Sequence, residues 1–232
     1  MKKITLFTLT AISGLLCLSA GENLLPNGNF DEGEGNATNW EKTDGLTSFW
    51  VSEEGRGRVL KMDTRVSNDQ VLEWKNKRKI DSTLKPPEPI FPKEPLQTVA
   101  NETVEGVALD SIMMTVKPGQ NYKLSVDYKG KLSPIIWIKG FRKHPRKDFY
   151  TNSYQTRLVP EGGTENEWKT YSIGFNPTER SPETIKMKVR IHPYWPPAVY
   201  YFDNVRVEEI TPAEMQKMVK EREKKADEQL LR

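Results

Sequence analysis

Acid–base, nucleophilic and metal chemistry each need particular side chains at workable spacing, and few are available in this sequence. Its two histidines, His144 and His192, each stand directly before a proline. Its one cysteine, Cys17, lies in the apolar N-terminal stretch, so the rest of the chain has no thiolate nucleophile, zinc–thiolate set or iron–sulfur ligand. No Gly-x-Ser-x-Gly elbow, His-Glu-x-x-His pair or phosphate-binding glycine loop occurs. Glycoside hydrolysis needs only two carboxylates about 5–10 Å apart. With 32 Asp and Glu residues, a glycoside hydrolase or lyase stays open as the least favoured reading.

The aromatic residues are more distinctive. Trp137 alternates with Ile136 and Ile138, so it faces solvent if the isoleucines face a core. Tyr194 and Trp195 lie in a loop stiffened by Pro193, Pro196 and Pro197. Tyr150 and Tyr154 belong to a polar segment after the basic stretch of Arg142, Lys143, Arg146 and Lys147.

The elements that must position these residues are strands. In 184–192, Ile185, Met187, Val189 and Ile191 alternate with Lys186, Lys188, Arg190 and His192, the period of a strand with one buried and one wet face. Segments 169–175 and 122–128 alternate likewise, and further strands are expected at 49–52, 58–63, 106–116, 134–140 and 199–209. Such short strands joined by turns predict an all-β, two-sheet sandwich over 21–210. The insert 64–101 carries Pro86, Pro87, Pro89, Pro92 and Pro95, so much of it cannot join a ladder, and it reads as a long excursion between strands. From 211 to 232 a short charged helix is expected, opened by Thr211, Pro212 and Glu214 as a capping box, with Met215, Met218 and Val219 as its apolar stripe. It would pack on the sandwich, serve as a stalk for self-association or a protein partner, or remain a solvated tail.

Residues 1–20 have the layout of a secretory signal peptide: Lys2 and Lys3, an apolar run from Ile4 to Leu18, and small residues for cleavage near Ala20. The run is short for a membrane span. Leu16 before Cys17 argues against a lipid anchor. The expected location is secreted, periplasmic or cell-surface. Loss of Lys2 and Lys3 leaves 33 basic residues against 32 acidic, without the basic excess of a nucleic-acid binder. Asn36 and Asn101 head Asn-x-Thr sequons.

Four stretches carry a family likeness. Asn23-Leu24-Leu25-Pro26-Asn27-Gly28-Asn29-Phe30-Asp31, followed by Trp40, resembles the opening of carbohydrate-binding modules of the family 4/9/22 type. Val116-Lys117-Pro118-Gly119-Gln120-Asn121-Tyr122 with Leu124-Ser125-Val126 is similar to their central turn and strand. Glu167-Trp168-Lys169-Thr170-Tyr171 and Tyr200-Tyr201-Phe202-Asp203-Asn204-Val205 resemble the later strands and the closing strand. The order is the family's, and the likeness spans 23–210, apart from the Pro-rich insert.

The resemblance implies a jelly-roll sandwich of the galactose-binding-like type, with Trp40 and Trp168 in the core framework. It also implies a structural Ca²⁺ held by Asp31 and Asp203, with Glu53 or Glu54 adding an oxygen. The alternative is that Asp203 caps a turn or pairs with a lysine. Finally, it implies non-catalytic binding of a polysaccharide or glycan on a sheet face or its edge loops, through Trp137, Tyr194, Trp195, Tyr150 and Tyr154. Lys188 and Arg190, joined by Lys186, His192, Lys123 and Lys139 if neighbouring strands align, would favour an anionic glycan. The competing reading is a structural or adhesive envelope protein that uses the sandwich and terminal helix for protein–protein assembly.

Overall fold

The structure, a computed structural model, describes residues 21–101, 107–165 and 167–230. The expected leader and Cys17 lie outside the described residues. In chain order the elements are β1 (Ser48–Glu53), β2 (Gly57–Asp63), α1 (Asn68–Ile80), β3 (Leu109–Asp110), β4 (Met114–Thr115), β5 (Asn121–Gly130), β6 (Ile135–Lys143), β7 (Tyr150–Leu158), β8 (Lys169–Phe175), β9 (Lys186–His192), β10 (Val199–Ile210) and α2 (Pro212–Leu230). The first sheet runs β1-β2-β10-β5-β8. The second runs β3-β9-β6-β7, with β4 also on β9, and every pairing is antiparallel. This is the two-sheet sandwich that the alternation predicts, of the jelly-roll type that the family resemblance implies, with the expected C-terminal helix. Its interior joins Leu60, Met62, Leu124, Val126, Phe202 and Val207 of the first sheet to Ile136, Ile138, Met187, Val189 and Ile191 of the second.

Four expectations need correction. Ile185 stands just before β9 and is 42% exposed, so the buried row begins at Met187. The strand expected at 106–116 is split: Ser111 stays on β9, but the Ile112 N–H turns to the Asn39 carbonyl at 2.9 Å. The polar segment 150–158, absent from the expected strands, is one; β7 is a sheet edge whose Thr, Asn, Ser and Gln residues conceal its period. The insert is not free of helix either. α1 shows only Val71 and Trp74 to the core, and the Trp74 indole N–H donates to the Asp44 carbonyl at 2.8 Å. Two apolar anchors in thirteen residues are too few for a visible periodic stripe.

The C-terminal helix forms the expected capping box, with Thr211 N–H on Glu214 Oε2 at 2.8 Å and Glu214 N–H on Thr211 Oγ1 at 3.2 Å. It packs on the sandwich. A Cβ at Gly174 of β8 would lie 2.7 Å from Met215 Sδ and 3.3 Å from Met218 Sδ, so the two methionines seat on that bare backbone.

The opening segment is docked on the last strand, across the 182 residues that separate Asn23 from Val205. The β10–β5 register shifts between Asp203 and Arg206, and there the Val205 N–H donates to the Gly28 carbonyl at 2.8 Å. The Leu24 N–H donates to the Val207 carbonyl, also at 2.8 Å. Asn27, at φ 55°, holds the loop that follows through its side-chain amide, which bonds Glu32 and Thr38. Phe30 then turns inward, edge-on to Trp40 with ring centroids 5.0 Å apart. A Cβ on Gly28 would sit 1.8 Å from the Val205 carbonyl oxygen. Gly28→Ala is therefore expected to lower stability by about 2 kcal/mol or more, read as a fall in the urea midpoint; an unchanged midpoint would show that the opening segment is not seated there.

Candidate functional site

The second sheet has one face in the core and one outside. Cross-strand register sets the outward side chains in rows. Trp137 lies between Arg157 and Arg190, Lys139 between Gln155 and Lys188, and Phe141 between Asn152 and Lys186. The Trp137 ring has Arg157 Cζ 5.9 Å and Lys139 Nζ 6.0 Å from its centroid, and Lys188 Nζ is 5.7 Å from that of Phe141. Two aromatic rings are thus interleaved with cations and amides on a half-exposed surface.

A buried carboxylate braces this face from β3. Asp110, 1% exposed, takes Arg190 Nε at 2.6 Å and Nη2 at 2.7 Å, and also pairs with Lys188. Burial alone would raise the Asp110 carboxyl, but hydrogen bonds from Arg190 and Lys188 outweigh it and hold the group below the usual carboxylate range. Lys139 stands directly opposite Lys188. Its ammonium is pushed down, first by burial and then by the charges of Arg190 and Lys188.

Trp137, Lys188, Arg190, Lys139, Lys186 and His192 share this side, as the alternation predicts. Lys188 and Arg190 are not idle wet-face charges, since both are committed to Asp110. Tyr194 stacks on His192 with centroids 5.9 Å apart, which brings the loop after β9 to one end of the face. Trp195 is 41% exposed in that loop, and the Tyr200 hydroxyl below donates to the Pro196 carbonyl at 2.9 Å. Tyr150 is exposed at the opposite end, paired with Lys143. Tyr154 does not belong to the face: it pairs with Gly140 and packs toward the interior. Lys123 is on β5 in the other sheet, bound to Glu208 at 2.8 Å. Phe141, Arg157, Gln155 and Asn152 had not been assigned to this surface. Phe141 continues the alternation of Trp137 past Gly140, a signal present in the sequence; β7 carried none.

The residues expected to hold Ca²⁺ do not fit that ion. Asp31 is exposed and accepts from Arg58 N–H at 2.9 Å and Asn29 Nδ2 at 2.8 Å. Glu53 accepts from Lys129 and from the Trp168 indole. Asp203 shares the Arg56 guanidinium with Asp127, each 2.9 Å from Nη1. Among the described residues no three His, Cys, Asp or Glu side chains converge as a metal set. The Arg56 guanidinium, in the turn between β1 and β2, supplies the counter-charge of Asp203. The two carboxylates titrate apart. Burial raises Asp203, whereas on Asp127 it is outweighed by hydrogen bonds from Arg56, Thr170 and Asn204. Trp168, expected in the core, instead lies half-exposed with Arg56 Cζ 4.2 Å and Lys129 Nζ 5.0 Å from its ring centroid. Both of those cations are themselves paired with carboxylates, Arg56 with Asp127 and Asp203 and Lys129 with Glu53. Trp40 is in the core at 6% exposure.

No family model and no curated protein matches the chain. Solved structures similar in fold include TmCBM61 in complex with β-1,4-galactotriose, at 13% identity and a TM-score of 0.42, covering 82% of this chain and 99% of that one. The CBM22-1 xylan-binding domain of Paenibacillus barcinonensis Xyn10C aligns at 11% identity and a TM-score of 0.41, over 83% of this chain and 97% of that one. The enzymatically active domain of bacteriophage CBA120 tailspike protein 4 aligns at 10% identity and a TM-score of 0.45 over 81% of this chain; the chain spans 21% of that protein's length.

His192 closes one end of the face with a buried Nε2 that has no hydrogen-bond partner among the described residues. Burial, aided by Arg190 and Lys139, pushes its imidazole down to about 4. A base that is neutral when folded but titrates near 6.5 when unfolded binds fewer protons in the native state. Its contribution is intact above pH 6.5 and is lost as pH falls toward 4. Urea midpoints measured across pH 4–6.5 should therefore fall more steeply in the parent than in His192→Gln; parallel profiles would contradict the burial of a neutral ring.

Proposed function

We propose that the protein binds carbohydrate non-covalently on the outer face of the second sheet, with the Trp137 indole as the stacking platform. The observation that carries this reading is the register. It places Trp137 in one row with Arg157 and Arg190, and in the next row sets Lys139 opposite Lys188. Like charges directly opposite each other on neighbouring strands are destabilising. A half-exposed indole beside them leaves part of an aromatic ring at the surface. Both features suit a ligand that offers C–H faces to the ring and oxygens to the cations, which is the chemistry of a sugar polymer. The cation excess favours one that carries carboxylate or sulfate groups. The leader expected at 1–20 would export the chain to where such polymers occur.

Binding rather than bond cleavage is the activity proposed. Asp110, which binds two cations of this face, is buried and neutralised by them, and so is neither placed nor poised as a general acid. Affinity electrophoresis in soluble polysaccharides tests the reading. At least one acidic polysaccharide should retard the parent, and Trp137→Ala should weaken that retardation tenfold or more, about 1.4 kcal/mol. Retardation unchanged by Trp137→Ala would move the site elsewhere. No retardation by any polysaccharide would leave the sandwich as a structural or adhesive part.

A further inference from the structure

We infer that Lys139 is the residue by which this face tells an acidic glycan from a neutral one, its ammonium taking the carboxylate or sulfate of a sugar stacked on Trp137; the inference rests on the reading above. Its position follows from the strand. Lys139 comes two residues after Trp137 on β6, so both project to the outer side. Successive outward residues are roughly 6.5 Å apart along a strand, and Lys139 Nζ lies 6.0 Å from the Trp137 ring centroid. A sugar ring on that indole would hold a substituent over Lys139.

The counter-charge nearby is already taken. Asp110 accepts Arg190 through Nε at 2.6 Å and Nη2 at 2.7 Å, and it also binds Lys188. With Asp110 included, Lys139, Lys188 and Arg190 bring three positive charges against one negative. Lys139 itself forms no ion pair among the described residues. Its cross-strand neighbours are Gln155 of β7 and Lys188 of β9, and the row beside it holds Arg157 and Arg190. None of these is an anion. The pull of Asp110 on the ammonium is outweighed by burial and by Arg190.

No structural task accounts for a lysine here. Lysines commonly guard the edges of sheets, but β6 lies between β9 and β7. A half-buried ammonium opposite another one costs stability instead of adding it. An acidic group on the ligand would supply the missing partner through a charge-assisted hydrogen bond. Lys188 and Arg190, fixed by Asp110, keep the surroundings in place when it arrives. A neutral substituent would leave the ammonium as it was.

Matched polymers separate this role from that of the platform. Binding of the purified protein is measured on polygalacturonate and its methyl ester, and on dextran sulfate and dextran. The variants are Lys139→Gln, Lys139→Arg, Trp137→Ala and Lys220→Gln, the last removing an exposed charge from α2. Lys139→Gln is expected to weaken binding of one acidic polymer roughly tenfold or more, and of its uncharged counterpart less than about twofold. The polymer affected identifies carboxylate or sulfate as the group recognised. Lys139→Arg should keep the acid preference, and Lys220→Gln should leave it unchanged. The melting temperature of Lys139→Gln should equal or exceed the parent's; a fall would give Lys139 a structural role and overturn the proposal. Equal loss on charged and uncharged polymers, no loss, or the same loss in Lys139→Arg or Lys220→Gln also overturns it. If Trp137→Ala still abolishes binding in that case, the platform stands without Lys139. If the parent binds none of the four polymers, platform and acid recognition fall together.

Discussion

A sheet face that gathers lysines and arginines on adjacent strands repels itself, and this fold holds one together with a single buried carboxylate. Asp110 lies in a two-residue strand at the edge of the second sheet, where it accepts both ends of the Arg190 fork and the Lys188 ammonium. Removing one partner from such a buried group leaves an uncompensated charge, which is far more damaging than the pair is stabilising. Asp110 therefore fixes where two cations point. Trp137 and Lys139, on the next strand, inherit their surroundings from that arrangement.

The two outer faces of the sandwich differ in how their charges are balanced. On the first sheet, Arg56 sits between Asp127 and Asp203, Lys129 pairs with Glu53, and both cations lie over Trp168. There the cations are paired with carboxylates within the protein. Part of the remaining surface of β8 is covered by Met215 and Met218 of α2. On the second sheet the positive charge exceeds what Asp110 can balance. That imbalance, more than the presence of aromatic rings on a surface, is what the proposal of binding on this face rests on.

The sandwich was legible in the sequence wherever one side of a strand is apolar throughout. Met187, Val189 and Ile191 against Lys186, Lys188 and Arg190 illustrate this, and the outward position of Trp137 followed from the same logic. The rest was hidden for physical reasons. β7 is a polar edge strand, so its rows, which supply Arg157, Gln155 and Asn152, carried no period-two signal. α1 is held by two apolar side chains and by hydrogen bonds to carbonyls that only the tertiary fold brings near. Asp203 did announce a partner by interrupting an apolar strand, but the sequence left that partner open, and it proved to be Arg56, more than a hundred residues away. Trp168 followed a framework pattern yet lies under two cations, because the neighbours of a ring are set by strand order, which local sequence does not encode.

The most direct test of the account is a chemical-shift titration of the ¹⁵N-labelled protein with a short acidic oligosaccharide. The indole N–H of Trp137 and the amides of β6, β7 and β9 should move together and saturate, while the indoles of Trp40 and Trp168 stay in place. Shifts confined to the Trp168 side of the sandwich, or none at concentrations that saturate retardation in a gel, would contradict it.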